Sequence, residues 1–212
     1  KQTRNIQTGT PARKRLLAGA QTLSKTVAVT YGPHGKTVMM DRMAGLLATK
    51  DGVTVAREVD LEDPVANMGC QIMKTACIKV NDDAGDGTTT TAIVAASLLE
   101  KGHKLVVAGY DPMQMVAGMR AAGNHAIEII EGLAVPVEDQ AILERVAMIA
   151  SNGDEAVSKA LAESCMAVGK DGTISIEDGK GVGIDLLYKD GMEIDRGAAS
   201  LTFLGTENER VI

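Results

Sequence analysis

Eleven residues constrain everything around them: Asn81-Asp82-Asp83-Ala84-Gly85-Asp86-Gly87-Thr88-Thr89-Thr90-Thr91. Long apolar segments of helical periodicity flank the stretch, so it must turn one helix almost directly into another. Gly85 and Gly87 let the backbone turn sharply and approach a ligand closely. Thr88, Thr89, Thr90 and Thr91 fall on the first turn of the second helix, where unpaired N–H groups and the positive dipole end favour an anion. Four consecutive β-branched residues are poor helix formers and cost stability unless their hydroxyls are used. Asp86 adds a hard oxygen suited to a magnesium ion that keeps most of its waters and bridges phosphate oxygens. Asp and Thr are also ordinary helix caps. The run of hydroxyls favours a polyphosphate and magnesium site over that plainer reading.

Composition narrows the partners. The 212 residues carry a formal charge of −6, with neither a basic stripe nor an aromatic platform, which argues against nucleic acid or an anionic membrane. No apolar run reaches the length of a membrane span, and Lys1-Gln2-Thr3-Arg4-Asn5 lacks a signal-peptide core, so a soluble, cytoplasmic protein is expected. Three cysteines make no paired framework, and Cys70 and Cys77, seven apart on one helical face, read as small buried hydrophobes. His34, His103 and His125 are scattered among different elements and suggest neither a metal triad nor a nucleophile–base pair. With one Phe and no Trp, the core must come from Ala, Val, Ile, Leu and eleven Met.

In chain order, Thr10-Pro11 opens a helix to about Val29 with Leu16, Ala20, Leu23 and Val27 at helical spacing. It ends in Thr30-Tyr31-Gly32-Pro33-His34-Gly35-Lys36-Thr37, which fails the Walker phosphate-loop pattern. The turn is either a plain C-cap or a set of N–H groups presented to a nucleotide. Thr37 to Met40 and Leu46 to Thr49 read as a hairpin, and Val53-Thr54-Val55-Ala56 as a further short strand. Between them, Lys50 and Asp51 read from the residues alone as a solvated turn, the default for adjacent opposite charges. The alternative is a phosphate-neutralising cation beside a carboxylate that orients water.

A helix starts near Glu62-Asp63-Pro64, with one stripe of Val65, Met68, Ile72 and Ala76 and another of Gly69, Met73, Cys77 and Val80. The helix after the threonine run is apolar on nearly every side over its first half and is expected to be central. Asp111-Pro112 opens another, with Met115, Met119, Ala122, Ala126, Ile129 and Leu133 facing inward. Beyond Pro136 two amphipathic helices, about 139–150 and 155–168, precede strands expected at Thr173 to Glu177 and Ile184 to Tyr188. Gly191 is a candidate hinge. The fold class is mainly α with small β elements.

The ordered set Thr30-Tyr31-Gly32-Pro33, Thr49-Lys50-Asp51-Gly52-Val53, Asn67-Met68-Gly69, Gly85-Asp86-Gly87-Thr88-Thr89-Thr90 and Asp111-Pro112-Met113 resembles group I chaperonins of the GroEL type. Ile174-Ser175-Ile176-Glu177-Asp178-Gly179 and Gly191-Met192 to Asp195-Arg196-Gly197 extend the resemblance over almost the whole chain. It implies the N-terminal half of an equatorial ATP-binding domain at 1–135, the outward limb of an intermediate domain at 136–190, and the start of an apical domain at 191–212. By the same resemblance Thr30, Tyr31, Gly32 and Pro33 hold the nucleotide, and Lys50 with Asp86, Gly87, Thr88, Thr89 and Thr90 binds phosphates. Asp86 ligates magnesium, and Asp51 assists hydrolysis, which replaces the solvated-turn reading. The implied cofactors are ATP and Mg2+, with K+ as a candidate second ion. The implied partners are a homo-oligomeric ring, unfolded protein clients and a candidate lid co-chaperonin.

The chain departs from that family at His34 and Lys36, at the short hairpin tip Met43-Ala44-Gly45, and at Ala198 and Thr202, where apical tyrosines are common. Family subunits are more than twice this long, so the chain is expected to be the front portion of a longer protein. Its apolar helices should then lack some of their partners. The activity implied is ATP-driven folding of non-native proteins. The rival is a non-hydrolysing structural or decoy fragment that assembles with rings, and a weaker third reading is a small-molecule kinase using Gly32 to Thr37.

Overall fold

The structure, a computed structural model, describes residues 6–42, 45–137, 139–169, 172–179, 181, 183–189 and 191. The chain divides into two compact units, residues 1–130 and 131–212. In chain order the first unit holds α1 (Gly9–Ala28), the antiparallel hairpin β1 (Val38–Arg42) and β2 (Gly45–Thr49), α2 (Gly52–Glu58), α3 (Pro64–Ala84), α4 (Thr88–Val107) and most of α5 (Pro112–Leu133). The hairpin pairs Val38 with Thr49 and Arg42 with Gly45.

Close approach of α1 and α3 sets the frame. A Cβ on Gly19 would lie 1.7 Å from the Ala66 carbonyl oxygen, and one on Gly69 would lie 1.9 Å from that of Leu16. No other residue type lets these two backbones touch, and the pair makes the most extensive helix contact in the unit. Asp63 ties the same two helices together at the start of α3. Its Oδ1 accepts the Val65 and Ala66 N–H groups at 2.8 and 3.1 Å, and its Oδ2 accepts Arg15 Nε at 2.9 Å and Nη2 at 2.5 Å. The Arg15 guanidinium, helped by the main-chain donors, holds this carboxyl below its ordinary range.

Between α1, α2, α3 and α4 lies a core of small side chains: Ala20, Leu23, Val27, Val55, Ala56, Cys70, Met73, Cys77, Ala92 and Ala96. The two cysteines are fully buried as expected, and burial pushes both thiols up. The core is narrower than the sequence implies. Of the two stripes on α3, Gly69, Met73 and Cys77 are buried while Met68, Ile72 and Ala76 are exposed, because α1 and α4 cover one face only.

Three expectations fail for identifiable reasons. Residues 53–56 form part of α2, not a strand. The core accepts Gly52, Val55 and Ala56, a spacing of three and four, whereas a strand would present Val53 with Val55. α4 is not central within the described residues. It buries Thr88, Ala92, Ala96 and Gly102 and leaves Val94, Leu98, Leu99 and Leu105 about half exposed. α5 buries no residue, and its half-buried Met115 and Met119 lie against Gly102 of α4. The shortage of partners expected for these apolar helices is therefore visible in the described residues.

In the second unit, α6 (Gln140–Ala150) packs on α7 (Glu155–Val168) through Ala147, Ser158 and Ala162. The corner between them is a polar knot in which Ser158 Oγ donates to the Asp154 carbonyl and meets Ser151 Oγ at 2.9 Å. Gly169, with φ of 69°, ends α7 where the sequence places its stop. The described residues of 172–179 and 183–189 form no strand. Ile176 and Leu187 are more than four-fifths exposed, so no buried face fixes a register. Met43, Ala44 and residues 192–212, with Ala198, Thr202 and Phe203, where the start of an apical domain is expected, lie outside the described residues.

Candidate functional site

The loop between α3 and α4 is built from two left-handed glycines. Gly85, with φ of 73°, closes α3 through its N–H to the Asn81 carbonyl, and Gly87, with φ of 94°, is the N-cap of α4. No side chain caps α4 there. α2, α3, α6 and α7 each receive an Asp carboxylate at that position, and Asp111 serves the first turn of α5. The main-chain N–H groups of Thr88, Thr89 and Thr90 thus form the positive end of a 20-residue helix with no side-chain carboxylate capping them.

Packing brings two distant segments to this helix start. Thr30, just past α1, donates its hydroxyl to the Val27 carbonyl at 2.8 Å, and its Oγ1 lies 3.3 Å from Thr89 Oγ1. Since Thr30 has spent its hydrogen, Thr89 is the donor in that second bond. Gly52, buried at the start of α2, completes the cluster. A Cβ there would fall 2.3 Å from Thr89 Oγ1, 3.4 Å from Val27 Cγ1 and 3.5 Å from Thr30 Oγ1. Residues 30, 52 and 89, drawn from three separate motifs, therefore share one small volume.

The remaining candidates neighbour these residues in the chain. The turn after α1 folds back through Lys36 N–H to the Val29 carbonyl at 2.8 Å and Gly35 N–H to the Gly32 carbonyl at 2.9 Å. A side chain at Gly35 would strike the Thr30 carbonyl, so this glycine sets the turn as firmly as Gly32, whose φ is 72°. Tyr31, Gly32 and Pro33 are exposed on it. Lys50 is exposed and makes no ion pair or hydrogen bond among the described residues. Asp51 is the N-cap of α2, accepting N–H groups from Val53 at 3.3 Å and Thr54 at 2.9 Å. Thr88 is buried, while Thr90 is exposed.

Asp86 fits a magnesium ion that arrives with phosphate. Its Oδ1 accepts the Gly87 N–H at 2.6 Å, and its Oδ2 has no protein partner. No group of three or more metal-ligating side chains occurs among the described residues. A shallow apolar hollow of about 310 Å³ opens along α4 from Thr90 and Thr91 to Leu98. It includes none of Thr30, Gly52 or Thr89 and is too apolar to hold phosphate.

Two residues of this cluster were not singled out from the sequence. Gly52 shows its close approach only once α4 is in place. Thr54, whose hydroxyl bonds Asp51 Oδ2, could have been found from the Asp51-x-x-Thr54 spacing of a helix start, had the β-branched run not suggested a strand.

Together these features define a mainly helical protein whose longest contacts serve to hold an uncapped helix start beside two converging turns. The TCP-1/cpn60 chaperonin family matches residues 23–204, and the chain belongs to that family. Among solved structures, a group III chaperonin in the open state is similar at 30% identity and a TM-score of 0.62. The similarity covers 74% of this chain and 32% of that one, so the chain spans about a third of that chaperonin's length. Among the described residues no helix is long and apolar enough to cross a membrane.

Proposed function

We propose that the chain supplies the phosphate-binding half of the ATP site in a chaperonin subunit of the group I kind. The subunit would assemble into a ring and drive folding of non-native proteins by binding and hydrolysing Mg-ATP. The observation that carries this reading is the convergence of Thr30, Gly52 and Thr89 at the uncapped start of α4. Family membership supports the chaperonin role, and the ordered motifs favour group I.

In this reading the N–H groups of Thr88 to Thr90 cradle phosphate oxygens, and Thr89 turns its hydroxyl from Thr30 to the nucleotide. Lys50 neutralises phosphate charge, and Asp51 orients the attacking water. Tyr31, Gly32 and Pro33 border the nucleotide. Asp86 would hold magnesium, which when bound screens the phosphate charge; a potassium ion is a further candidate. Catalysis is then positioning and electrostatics rather than covalent chemistry. Residues 136–190 act as the intermediate limb and Gly191, at φ of 115°, as its hinge, passing nucleotide state to a client-binding apical domain under a lid partner. The cytoplasm is the proposed location.

The test is magnesium-dependent ATP binding and turnover by the assembled protein and by its Asp86→Ala variant. Turnover that disappears with Asp86→Ala supports the proposal. Assembly into rings that ignores ATP would favour the non-hydrolysing structural role, and absence of any Mg-nucleotide uptake would remove the motor.

A further inference from the structure

Asp51 is an exposed carboxylate with three donors on its two oxygens. Its Oδ2 accepts both the Thr54 N–H, at 2.9 Å, and the Thr54 hydroxyl. Its Oδ1 accepts the Val53 N–H at 3.3 Å, the long end of the range, and its own N–H is fixed by Thr49 Oγ1 at 3.0 Å. An ionised carboxylate offers about four lone-pair directions. Both on Oδ2 are filled by one residue, whereas Oδ1 keeps an open one.

Thr54 stands at the third position of α2, and the carbonyl four residues back, that of Lys50, lies outside the helix. A threonine in a helix ordinarily returns its hydroxyl to a carbonyl three or four residues back. Thr22, Thr26 and Thr75 all do so here, at 2.9 Å. Thr54 instead spends its hydrogen on Asp51. The helix beneath it is anchored on its buried side. Val55 and Ala56 are fully buried, and Lys74 Nζ holds the far end of α2 through the Arg57 carbonyl at 2.9 Å.

We infer that Thr54 is a positioning residue for Asp51, saturating Oδ2 so that Oδ1 is the oxygen that orients the attacking water. The inference rests on the role proposed above for Asp51. A merely structural hydroxyl would strengthen the start of α2 and do no more. The two roles separate in kinetics, because a cap affects folding and binding while an oriented carboxylate affects the chemical step.

Thr54→Val keeps the shape and removes the donor, and Thr54→Ser keeps the donor and removes the methyl. In steady-state ATP turnover by the assembled protein, Thr54→Val is expected to lower kcat about tenfold with KM within about twofold, and Thr54→Ser to restore kcat. Combined with Asp51→Ala, Thr54→Val should add nothing further, since the group it positions is gone. Thermal unfolding of each variant tracks the helix cap separately. Thr54→Val that changes only the unfolding temperature or KM, or that slows Asp51→Ala further by the same factor, overturns the inference. If Asp51→Ala itself turns over ATP at the parent rate, the role of Asp51 fails and the role of Thr54 with it. A slow Asp51→Ala beside a fast Thr54→Val sinks the role of Thr54 alone.

Discussion

Gly52→Ala offers the sharpest test of the converging site, because the added methyl has one obstacle. Gly52 lies in the ordinary helical region, so alanine fits its backbone. The Cβ would sit 2.3 Å from Thr89 Oγ1, against ordinary contact beyond 3.4 Å, while Val27 and Thr30 are already at contact distance. The Thr89 oxygen must retreat by about 1 Å, and a χ1 rotation achieves that without moving either helix. Rotation breaks the 3.3 Å bond to Thr30. Its loss costs about 0.5–1.5 kcal/mol. Replacing glycine within a helix returns up to about 1 kcal/mol. Stability should therefore change by no more than about 1.5 kcal/mol.

Nucleotide affinity should change more. A hydrogen bond to a charged group is worth about 1.5–3 kcal/mol, which is about 10- to 100-fold in Kd. Calorimetric titration with Mg-ATP, beside urea unfolding, reads both quantities on one sample. Thr89→Ala should reproduce the affinity loss, and adding Gly52→Ala to it should cost little more. A folded Gly52→Ala protein that binds Mg-ATP like the parent would falsify the placement of phosphate at Thr89.

Two further predictions concern the frame that holds the site. Gly69→Ala would place a Cβ 1.9 Å from the Leu16 carbonyl oxygen, and no rotamer relieves a clash with backbone. It should destabilise by about 1–3 kcal/mol in urea unfolding. Gly118→Ala, whose Cβ meets open space on α5, should be neutral or stabilising by up to about 1 kcal/mol. Equal effects at the two sites would refute the α1–α3 contact. For Asp63, the folded carboxyl is held below its unfolded value of 3.8, chiefly by Arg15. Its contribution is fully present above that value and is lost as pH falls through the lower folded value. Asp63→Asn should flatten the acid limb of stability below about pH 4 and change its slope little near neutrality; an acid limb identical to the parent's would contradict the pairing.

Much of this was legible from short-range pattern alone. Asp63-Pro64, Asp139, Asp154 and Gly169 mark helix ends because caps and breakers act within one turn, and the structure places its boundaries there. The hairpin around 38–49 and the glycine-bracketed threonine turn follow from the same local rules. Where burial had to be assigned, pattern alone was insufficient. Met68, Ile72 and the α5 stripe have helical periodicity whether or not a neighbour covers them, and here none of them is buried among the described residues.

The sequence by itself determined the helix start at Thr88, which glycines and threonines define locally, and with it the residues proposed to bind phosphate. Tertiary structure decided that Thr30, Gly52 and Thr89, up to 59 positions apart, meet at one point. It also decided that residues 52–58 are a helix rather than a strand. Both outcomes come from packing: α1 and α3 approach through Gly19 and Gly69, and the pocket they make with α4 admits Gly52, Val55 and Ala56 only at helical spacing.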